Sequence, residues 1–392
     1  GHSRVSGHPE VMGEYPVSVL AEEILTPGEG QIRALVTVAG NPVLSTPNST
    51  QLARSLDRLD FMVSIDLYLN ETTCHADVVL PPPSQLQRSH YDLLLLQFAV
   101  RNVANYSPPV LPLDDGQPDE WEIIAKLTAI AQGLGPDVDP SMADDAAIEA
   151  IVRSAVANDH SIVSGREPDE LLAELSASGR RGPERMLDFM LRTGPYGDGF
   201  GVDPDGTSLD DLLARPHGRD FGALEPRIPE ILRTPSGRIE LSPEPFVADL
   251  DRLAAAAEEL ATRELVLVGR RHLRSNNSWM HNVKVLVKGK PRCTLQVHPG
   301  DATSLGLVDG GAATVTSRVG AVTAVVEVTE AIRPGVVSLP HGWGHDVQGA
   351  RLRVAAEHAG VNSNVLSDDE ALDPLSGTSV LNGIPVAVAP AS

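Results

Sequence analysis

The spacing of apolar residues changes once along this chain of 392 residues, near residue 262. Before that point, short apolar runs ended by glycine or proline alternate with stretches whose apolar residues recur at three- and four-residue steps. Such steps predict helices, and strands that alternate with helices indicate βαβ units around a parallel sheet. After that point, short runs typical of strands follow one another, separated by turn residues. The change therefore predicts an α/β domain followed by a β-rich domain.

Residues 1–158 carry the α/β pattern. The predicted strands span residues 31–40, 61–66 and 76–81, and the predicted helices span 49–59, 121–132 and 143–157. The run at 31–40 is apolar enough to predict a buried strand. We therefore predict an α/β domain with a parallel sheet over residues 1–158.

Residues 159–262 are rich in Gly, Pro, Asp and Arg. Short helices are predicted at residues 169–176 and 183–191, and a turn that enters a strand at 234–241. We interpret this stretch as an irregular connecting region, and leave open whether it completes the first domain.

Residues 263–392 carry the β-rich pattern. Strands are predicted at 265–268, 283–287, 294–297, 313–317, 322–328, 336–339 and 384–388, with one short helix at 299–305. Many short strands in about 130 residues predict a closed barrel.

Charge divides at the same place as the apolar pattern. The net charge is −22, but residues 263–392 hold 12 basic and 11 acidic residues, which leaves 19 basic and 42 acidic residues before them. The acidic excess argues against general affinity for nucleic acid or anionic lipid. No apolar run approaches the ~20 residues that a membrane-spanning helix needs. The sequence therefore predicts neither a nucleic-acid partner nor a membrane span.

Cysteine content and the N-terminus bear on the setting of the protein. The only cysteines, Cys74 and Cys293, are too few for a disulfide framework, which favours a reducing, cytoplasmic compartment. The chain begins at Gly1 without an initiator Met or a signal-peptide pattern. We expect it to be a fragment of a longer polypeptide.

The first candidate site lies where the first two predicted strands end. Gly40, Asn41, Pro42 and Ser45 follow the first strand, and Asp66 closes the second. In open α/β sheets, ligands bind outside the carboxyl ends of strands, where a glycine turn exposes N–H groups to phosphate and a carboxylate accepts ribose hydroxyls. The turn is not G-x-G-x-x-G, so a plain βα turn with a helix-capping Asp is the alternative.

The second candidate site is a basic run after the first strand of the β-rich domain. Eight basic residues and one acidic residue fall between Arg263 and Arg292. The run includes Arg270, Arg271 and Arg274, then Ser275, Asn276, Asn277 and Ser278. Guanidinium groups suit phosphate, and the serines and asparagines add donors and acceptors. The pattern favours an anion or cofactor site over its alternative, a solvated basic loop.

Other groups carry weaker signals. Cys74, His75 and Asp77 are too crowded at a strand entry to converge on a metal, and Cys293 is interpreted as a packing residue. The glycines beside Trp343 allow the backbone to approach a planar ligand, and Asn364 can pair with a heterocycle edge. The same glycines also disfavour a helix, so they argue against His341 and His345 as a pair of metal ligands.

Several ordered motifs resemble the C-terminal portion of molybdopterin oxidoreductases, the family of formate dehydrogenases, nitrate reductases and dimethyl sulfoxide reductases. The motifs run GNPVLS from Gly40, SIDLYLNETT from Ser64, HADVVLP from His75, GRRHLRSNNS from Gly269, HPGDA from His298, LPHGW from Leu339 and NSNVL from Asn362. The resemblance covers about residues 16–125 and 234–390. The middle of the chain matches poorly.

The resemblance implies a fold and a ligand. The first region would be the family's third domain, a Rossmann-like α/β unit, and the last would be its molybdopterin-dinucleotide-binding domain, a double-psi β-barrel. Gly40, Asn41, Pro42 and Ser45 would contact the phosphate or ribose of one guanosine arm of bis-molybdopterin guanine dinucleotide, with Asp66 at the ribose or guanine. The pterin and pyrophosphate would be met by Arg270, Arg274, Ser275, Asn276, Asn277, Ser278 and Asn364.

The resemblance also implies what this chain lacks. The family's metal-ligand domain and its iron–sulfur domain correspond to no part of it, so no residue here is assigned as catalytic or as a metal ligand. We expect a formate dehydrogenase-like molybdenum or tungsten enzyme whose missing N-terminal domains, small-molecule redox substrate and electron-transfer partner lie outside this chain, and whose C-terminal fragment is inactive alone. A stand-alone nucleotide-binding or cofactor-assembly module, and an acidic scaffold that has lost its ligand, are the alternatives.

Overall fold

The structure is a computed structural model that describes residues 1–261 and 265–391. Contacts divide the chain into two units, one formed by Gly1–Pro81 with the described part of Glu240–Ser392, the other by Pro82–Ile239. The sequence-predicted division into 1–158, 159–262 and 263–392 stays a prediction, because its second boundary lies outside the described residues. In the part of the chain that the structure describes, no helix is both long and apolar enough to cross a membrane.

The N-terminal part of the first unit is a three-stranded parallel sheet with helices on one face. Its elements are α1 (Leu20–Leu25), β1 (Ala34–Val38), α2 (Pro42–Ser45), α3 (Ser49–Leu56), β2 (Phe61–Ile65) and β3 (Val78–Leu80), with 3-10 turns at Val17–Val19 and Thr73–His75. The strand order is β1-β2-β3, with Val36 opposite Val63 and Ser64 opposite Val79. Ile24, Leu52 and Met62 pack between the helices and the sheet. The predicted parallel sheet is confirmed.

On the opposite face of this sheet β1 is exposed, whereas Val63 and Ile65 of β2 are buried. Val36 and Val38 in β1 are 55% and 50% exposed. The prediction of a buried strand at 31–40 is therefore wrong for β1, since the helices cover one face only and alternate side chains point away from them.

The C-terminal part of the first unit is built on a seven-stranded mixed sheet. Its elements are α9 (Glu244–Ala248), α10 (Leu250–Ala261), β8 (Val266–Arg270), α11 (Lys284–Val287), β9 (Thr294–Val297), α12 (Pro299–Leu305), β10 (Ala312–Thr316), β11 (Ala321–Val328), β12 (Val336–Pro340), α13 (Arg353–Ala356), a 3-10 turn at Ser363–Val365, β13 (Asn382–Pro385) and β14 (Ala387–Pro390). The order is β13-β8-β12-β9-β11-β10-β14. Because β13 and β14 lie at opposite ends of this order yet only Val386 separates them, the sheet curls round.

The interior of this curled sheet is the largest apolar cluster of the unit. Leu295, Val297, Ala313, Val315 and Val337 have no exposed surface. The strand predicted at 283–287 is wrong, because one turn of helix, α11, occupies it. A short apolar run is compatible with either state, and here the backbone N–H of Val287 bonds to the carbonyl of Val283 as in a helix.

The second unit combines helices with two small antiparallel sheets. Its elements are β4 (His90–Tyr91), a 3-10 turn at Leu95–Phe98, β5 (Arg101–Ala104), β6 (Tyr106–Ser107), α4 (Glu120–Ala131), α5 (Pro140–Val156), α6 (Pro168–Ala177), α7 (Gly182–Thr193), α8 (Leu209–Leu213) and β7 (Arg219–Ala223). Asp119 and Asp139 cap α4 and α5 through side-chain bonds to the backbone. Ile148, Val152, Leu171 and Phe189 form the helical core.

The segment predicted to enter a strand at residues 234–241 contains turns, bends and irregular backbone, and no strand. The Thr234 hydroxyl donates to the carbonyl of Arg238 at 2.7 Å, and Gly237 has a φ of 63°. These features close a local turn, so the prediction of a strand there is wrong.

Candidate ligand-binding site

The turn after β1 is held by side chains that follow β2. Asn41 lies just before α2; its amide Nδ2 donates to Glu71 Oε2 at 2.8 Å and its Oδ1 accepts from the Thr72 hydroxyl at 2.7 Å. Gly40 and Pro42 are half-buried, and Ser45 is exposed at the end of α2. β1 and β2 are parallel, so their carboxyl ends meet at one edge and bring these segments together.

Asp66 follows β2 at the same edge, and its bonds are local. Its carboxylate accepts from the backbone N–H of Tyr68 at 3.1 Å and from Asn70 Nδ2 at 3.0 Å. Burial raises the pKa of Asp66, and these hydrogen bonds act in the opposite direction. The carboxylate therefore has protein partners of its own at the position predicted for a ribose contact.

Arg270 ends β8 and points its guanidinium into the protein. Its Nη atoms donate to the carbonyls of Ser338 and Thr294, both at 2.7 Å. Burial lowers its pKa from the usual arginine value. The geometry makes Arg270 a bridge between strands, which carries positive charge beneath the loop that follows.

The loop after Arg270 has a different character, because its polar groups are largely free. Asn276 and Asn277 both adopt left-handed backbone conformations, with φ of 41° and 59°. Among the described residues, the backbone N–H groups of Asn276, Asn277 and Ser278 make no hydrogen bond, and the guanidinium of Arg274 has neither a hydrogen bond nor an ion pair. Successive free N–H groups in such a turn form an anion-binding concavity.

Ser275, Arg271 and Asn277 of this loop have side chains that are paired within the protein. The Ser275 hydroxyl is buried and donates to the carbonyl of His272 at 2.8 Å. Arg271 donates to Asn277 Oδ1. These bonds fix the loop while Arg274 stays exposed beside it.

A second loop, after β12, packs directly against this one. β8 and β12 are parallel neighbours, with Arg270 opposite Pro340, so both loops leave the same edge. A Cβ on Gly342 would lie 2.4 Å from the carbonyl oxygen of Asn277, which only glycine avoids. The glycines beside Trp343 thus permit close approach of protein backbone.

Asn364 is buried and connects the two parts of the first unit. Its Nδ2 donates to the carbonyl of Leu44 in α2 at 2.7 Å, and its Oδ1 accepts from the Ser367 hydroxyl at 3.0 Å. It also lines a cavity of about 170 Å³ together with Arg270, Arg271 and His341. The cavity therefore brings together two of the sequence-predicted residues, Arg270 and Asn364.

A buried chain of three side chains runs between the turn after β1 and the loop after β8. Glu71 Oε1 accepts from His345 Nδ1 at 2.9 Å, and His345 Nε2 lies 2.8 Å from His281 Nδ1. The His281 ring stacks on Trp343 with 3.9 Å between ring centroids. Within the described residues, the buried atoms His281 Nε2 and Trp343 Nε1 have no hydrogen-bond partner.

The electrostatic surroundings of these three side chains favour an ionised Glu71 carboxylate and a neutral His281 imidazole. Burial alone would raise the pKa of Glu71, but hydrogen bonds from His345 and Asn41 lower it overall. Burial, and then the electrostatic interaction with His345, lower the pKa of His281 to about 3. Sequence reasoning missed Glu71, His281 and His345 as a group, because they lie far apart along the chain.

The family comparison identifies the C-terminal part. Residues 265–385 match the family model described as the molydopterin dinucleotide binding domain. This match spans β8 to β13 and both loops described above.

Relatives extend the similarity over most of the chain. The assimilatory nitrate reductase catalytic subunit of Bacillus subtilis (strain 168) is 42% identical over 59 residues, 15% of this chain and 8% of that protein. The molybdopterin-containing subunit of the arsenate respiratory reductase of Chrysiogenes arsenatis is 35% identical over 88 residues, 22% of this chain and 10% of that protein. The probable oxidoreductase YoaE of Bacillus subtilis (strain 168) is 24% identical over 367 residues, 92% of this chain and 45% of that protein.

A solved structure shares the fold. Acetylene hydratase from Pelobacter acetylenicus aligns with a TM-score of 0.55 and 21% identity, over 95% of this chain and 46% of that one. The chain thus spans less than half the length of each of these proteins. The resemblance drawn from the sequence motifs is confirmed: residues 265–385 match the molydopterin dinucleotide binding domain, and the chain is similar to subunits of a nitrate reductase and of a molybdopterin-containing arsenate reductase.

Proposed function

We propose that this chain binds and orients bis-molybdopterin guanine dinucleotide as part of a larger molybdenum oxidoreductase. The observation that carries the proposal is the loop of Asn276, Asn277 and Ser278, whose three free backbone N–H groups lie beside the unpaired guanidinium of Arg274. A pyrophosphate requires such donors, because a buried anion without partners costs several kcal/mol. When bound, the molybdenum cofactor supplies two-electron redox chemistry.

The residues available for the ligand divide between two edges. At the loop after β8, Arg274, Asn276 and Ser278 offer donors to phosphate oxygens, while Arg270 adds positive charge from below. At the turn after β1, Gly40, Pro42 and Ser45 flank Asn41 and are proposed to contact the guanosine arm, with Asp66 at its ribose or guanine. Asn364 is proposed to act at the cavity that it shares with Arg270.

Finer features of the family belong to the same proposal. We propose that the curled seven-stranded sheet is a double-psi β-barrel, and that the whole enzyme is a formate dehydrogenase-like oxidoreductase. Its metal ligand and an iron–sulfur cluster would lie in domains outside this chain, so that the chain alone is inactive. These domains, an electron-transfer partner and a small redox substrate are the proposed partners.

Guanosine diphosphate is the simplest probe of the dinucleotide site. Isothermal titration of the 392-residue chain is expected to show saturable binding of GDP that is tighter than binding of ADP. Binding of neither nucleotide would overturn the proposal, and equal binding of both would reduce the site to one for phosphate alone.

Arg274→Ala tests the loop directly. Because hydrogen bonds to charged groups contribute about 1.5–3 kcal/mol, the substitution is expected to weaken GDP binding about tenfold or more while the urea midpoint of unfolding stays unchanged. Arg58→Ala removes another exposed arginine, outside the site, and serves as the matched control. Equal GDP affinity in the Arg274 and Arg58 variants would contradict the role of the loop.

The alternative of a separate assembly module has its own test. An antibody raised against this chain should detect a polypeptide much larger than 41.6 kDa in extracts of the source cells if the chain is part of an oxidoreductase. A native band at 41.6 kDa would favour the assembly module.

A further inference from the structure

Three buried ionisable side chains from three separate segments form one hydrogen-bonded line. Glu71 follows β2, His345 follows β12 and His281 follows β8, and their residues are 0%, 2% and 1% exposed. The line ends at one side on Asn41 and at the other in the segment that carries Ser275–Ser278. It therefore spans the two edges to which the proposed function assigns the ligand.

The hydrogen bonds limit where the protons can be, and they give one arrangement when His345 is neutral. The Glu71 carboxylate only accepts, so His345 must carry its proton on Nδ1. A neutral His345 then accepts at Nε2, which places the proton of His281 on Nδ1 and leaves His281 Nε2 as a buried lone pair without a partner. Both imidazoles are thereby held in the Nδ1–H form by one carboxylate.

The same geometry lets the line take up one proton at its outer end. When a proton forms a bond to His281 Nε2, the His281 Nδ1–H bond can break and an N–H bond can form at His345 Nε2. The positive charge then rests on His345, beside the Glu71 carboxylate, and His281 stays neutral. Only N–H bonds change, and no electrons are transferred.

We propose that Glu71, His345 and His281 are positioning residues that act as a proton relay for the dinucleotide ligand, with His281 Nε2 as the outer atom. The relay rests on the proposed function for the identity of its ligand, a pterin dinucleotide that carries N–H and O–H groups. It sets whether the outer nitrogen accepts or donates a hydrogen bond, and Glu71 decides this from two hydrogen bonds away.

The surroundings of His281 support a neutral ring. Trp343 stacks on one face, and the charged and titratable groups that act on the ring are His345, His272 and Glu71. The two histidines oppose a positive charge there, while Glu71 and the Gly342 backbone partly offset them. A proton that enters at Nε2 is therefore stabilised by passing inward to His345.

Glu71→Gln is expected to reverse both histidine tautomers. Asn41 Nδ2 donates to Oε2, and Asn41 cannot turn over because its Oδ1 already accepts from Thr72. The new amide oxygen must face Asn41, so the NH2 group faces His345 Nδ1. His345 then carries its proton on Nε2 and donates to His281 Nδ1, which moves the proton of His281 to Nε2.

Nuclear magnetic resonance of the ¹⁵N-histidine-labelled chain reads these protons directly. The wild type is expected to show the Nδ1–H form at His281 and His345 while His345 is neutral, and Glu71→Gln the Nε2–H form at both. Glu23→Gln, at another buried carboxylate of the same unit, is the matched control and should change neither histidine. Unchanged tautomers in Glu71→Gln would overturn the relay.

A titration of the wild type covers the case in which Glu71→Gln does not fold. As the pH falls and the line takes up a proton, His281 should change from Nδ1–H to Nε2–H while its own ring stays neutral. A change at His345 that leaves the His281 tautomer unaltered, or a first positive charge on His281 itself, would contradict the relay.

The link to the ligand is measured with GDP. The wild-type affinity is expected to change several-fold across the pH at which the His281 tautomer changes, and Glu71→Gln should lack this dependence. If the wild type binds no GDP, the proposed function fails, while the tautomers still decide whether the relay exists. If both proteins bind GDP with the same pH profile, the positioning role is overturned although the proposed function stands.

Discussion

The turn after β1 and the loop after β8 both present asparagines predicted to contact the ligand, but the two sites are built differently. Asn41 has both ends of its amide engaged, by Glu71 and Thr72. Asn276 and Asn277 are exposed and hold left-handed backbone instead. One site is thus organised by buried side-chain bonds, and the other by backbone shape. The difference predicts that substitutions at the first mainly change stability and those at the second mainly change binding.

Among the substitutions that test this difference, Gly342→Ala is expected to lower stability the most. The new methyl group would lie 2.4 Å from the Asn277 carbonyl oxygen, and the residue has a φ of +86°, so the loop after β8 must move. We expect a loss of about 3 kcal/mol in the free energy of unfolding, measured with urea.

Gly310→Ala separates backbone strain from the steric clash. Gly310 has a similar φ of +75°, but its Cβ would meet no atom within 4 Å. This control is expected to lose only about 1 kcal/mol. Equal losses in the two variants would show that the close approach of the two loops is not tight.

Much of the fold could be predicted from the sequence, because its signals are local. Apolar runs ended by Gly or Pro located β1, β3 and β9, and three- and four-residue spacing located α5. Residues 283–287 misled, since five residues of strand-like composition fit one helical turn equally well. Local patterns therefore predicted the helices and strands correctly where the length of the apolar run and the Gly or Pro at its end indicated the same element.

The buried relay could not be predicted in this way. His281 and His345 lie 64 positions apart, and His345 and Glu71 lie 274 apart. No spacing rule joins such residues; they meet because the segments after β2, β8 and β12 come together in the folded unit. Likewise, the sequence showed that Arg270 is basic, but only the structure shows its guanidinium bonded to strand carbonyls.

A smaller effect is expected from the asparagines themselves. Asn364→Ala removes a buried amide that bonds to Leu44 and Ser367, and should lower the free energy of unfolding by about 2 kcal/mol. Asn277→Gly keeps the left-handed backbone at an exposed position and should change it by less than about 0.5 kcal/mol. GDP titration of the same pair should show whether the exposed residue matters for binding.

That pair can contradict the comparison in either direction. A large loss of stability in Asn277→Gly would mean that its side chain, with Arg271, organises the loop. A stable Asn364→Ala with weakened GDP binding would place Asn364 with the exposed residues.

The smallest expected effect is a change in how stability depends on pH. The pKa of His281 falls from 6.5 to about 3 on folding, so the His281 ring takes up a proton in the unfolded chain that it does not hold in the folded chain. The stability that neutral His281 contributes is complete above pH 6.5 and is lost as the pH falls from 6.5 towards about 3. The slope contributed by one such group cannot exceed about 1.4 kcal/mol per pH unit.

His281→Asn removes the titrating group while an amide N–H can still face His345. We expect the variant to be less stable than the wild type at pH 7 and to approach it at pH 5, because it lacks this slope. His217→Asn, at an exposed position, should follow the wild-type pH profile. Urea midpoints at pH 7, 6 and 5 measure how the stability of each protein depends on pH. If the difference in midpoint between wild type and His281→Asn is the same at all three pH values, the buried surroundings of His281 do not exclude a proton from it. The difference between the buried side chains and the exposed loop after β8 would then rest on hydrogen bonds alone, with no contribution from charge.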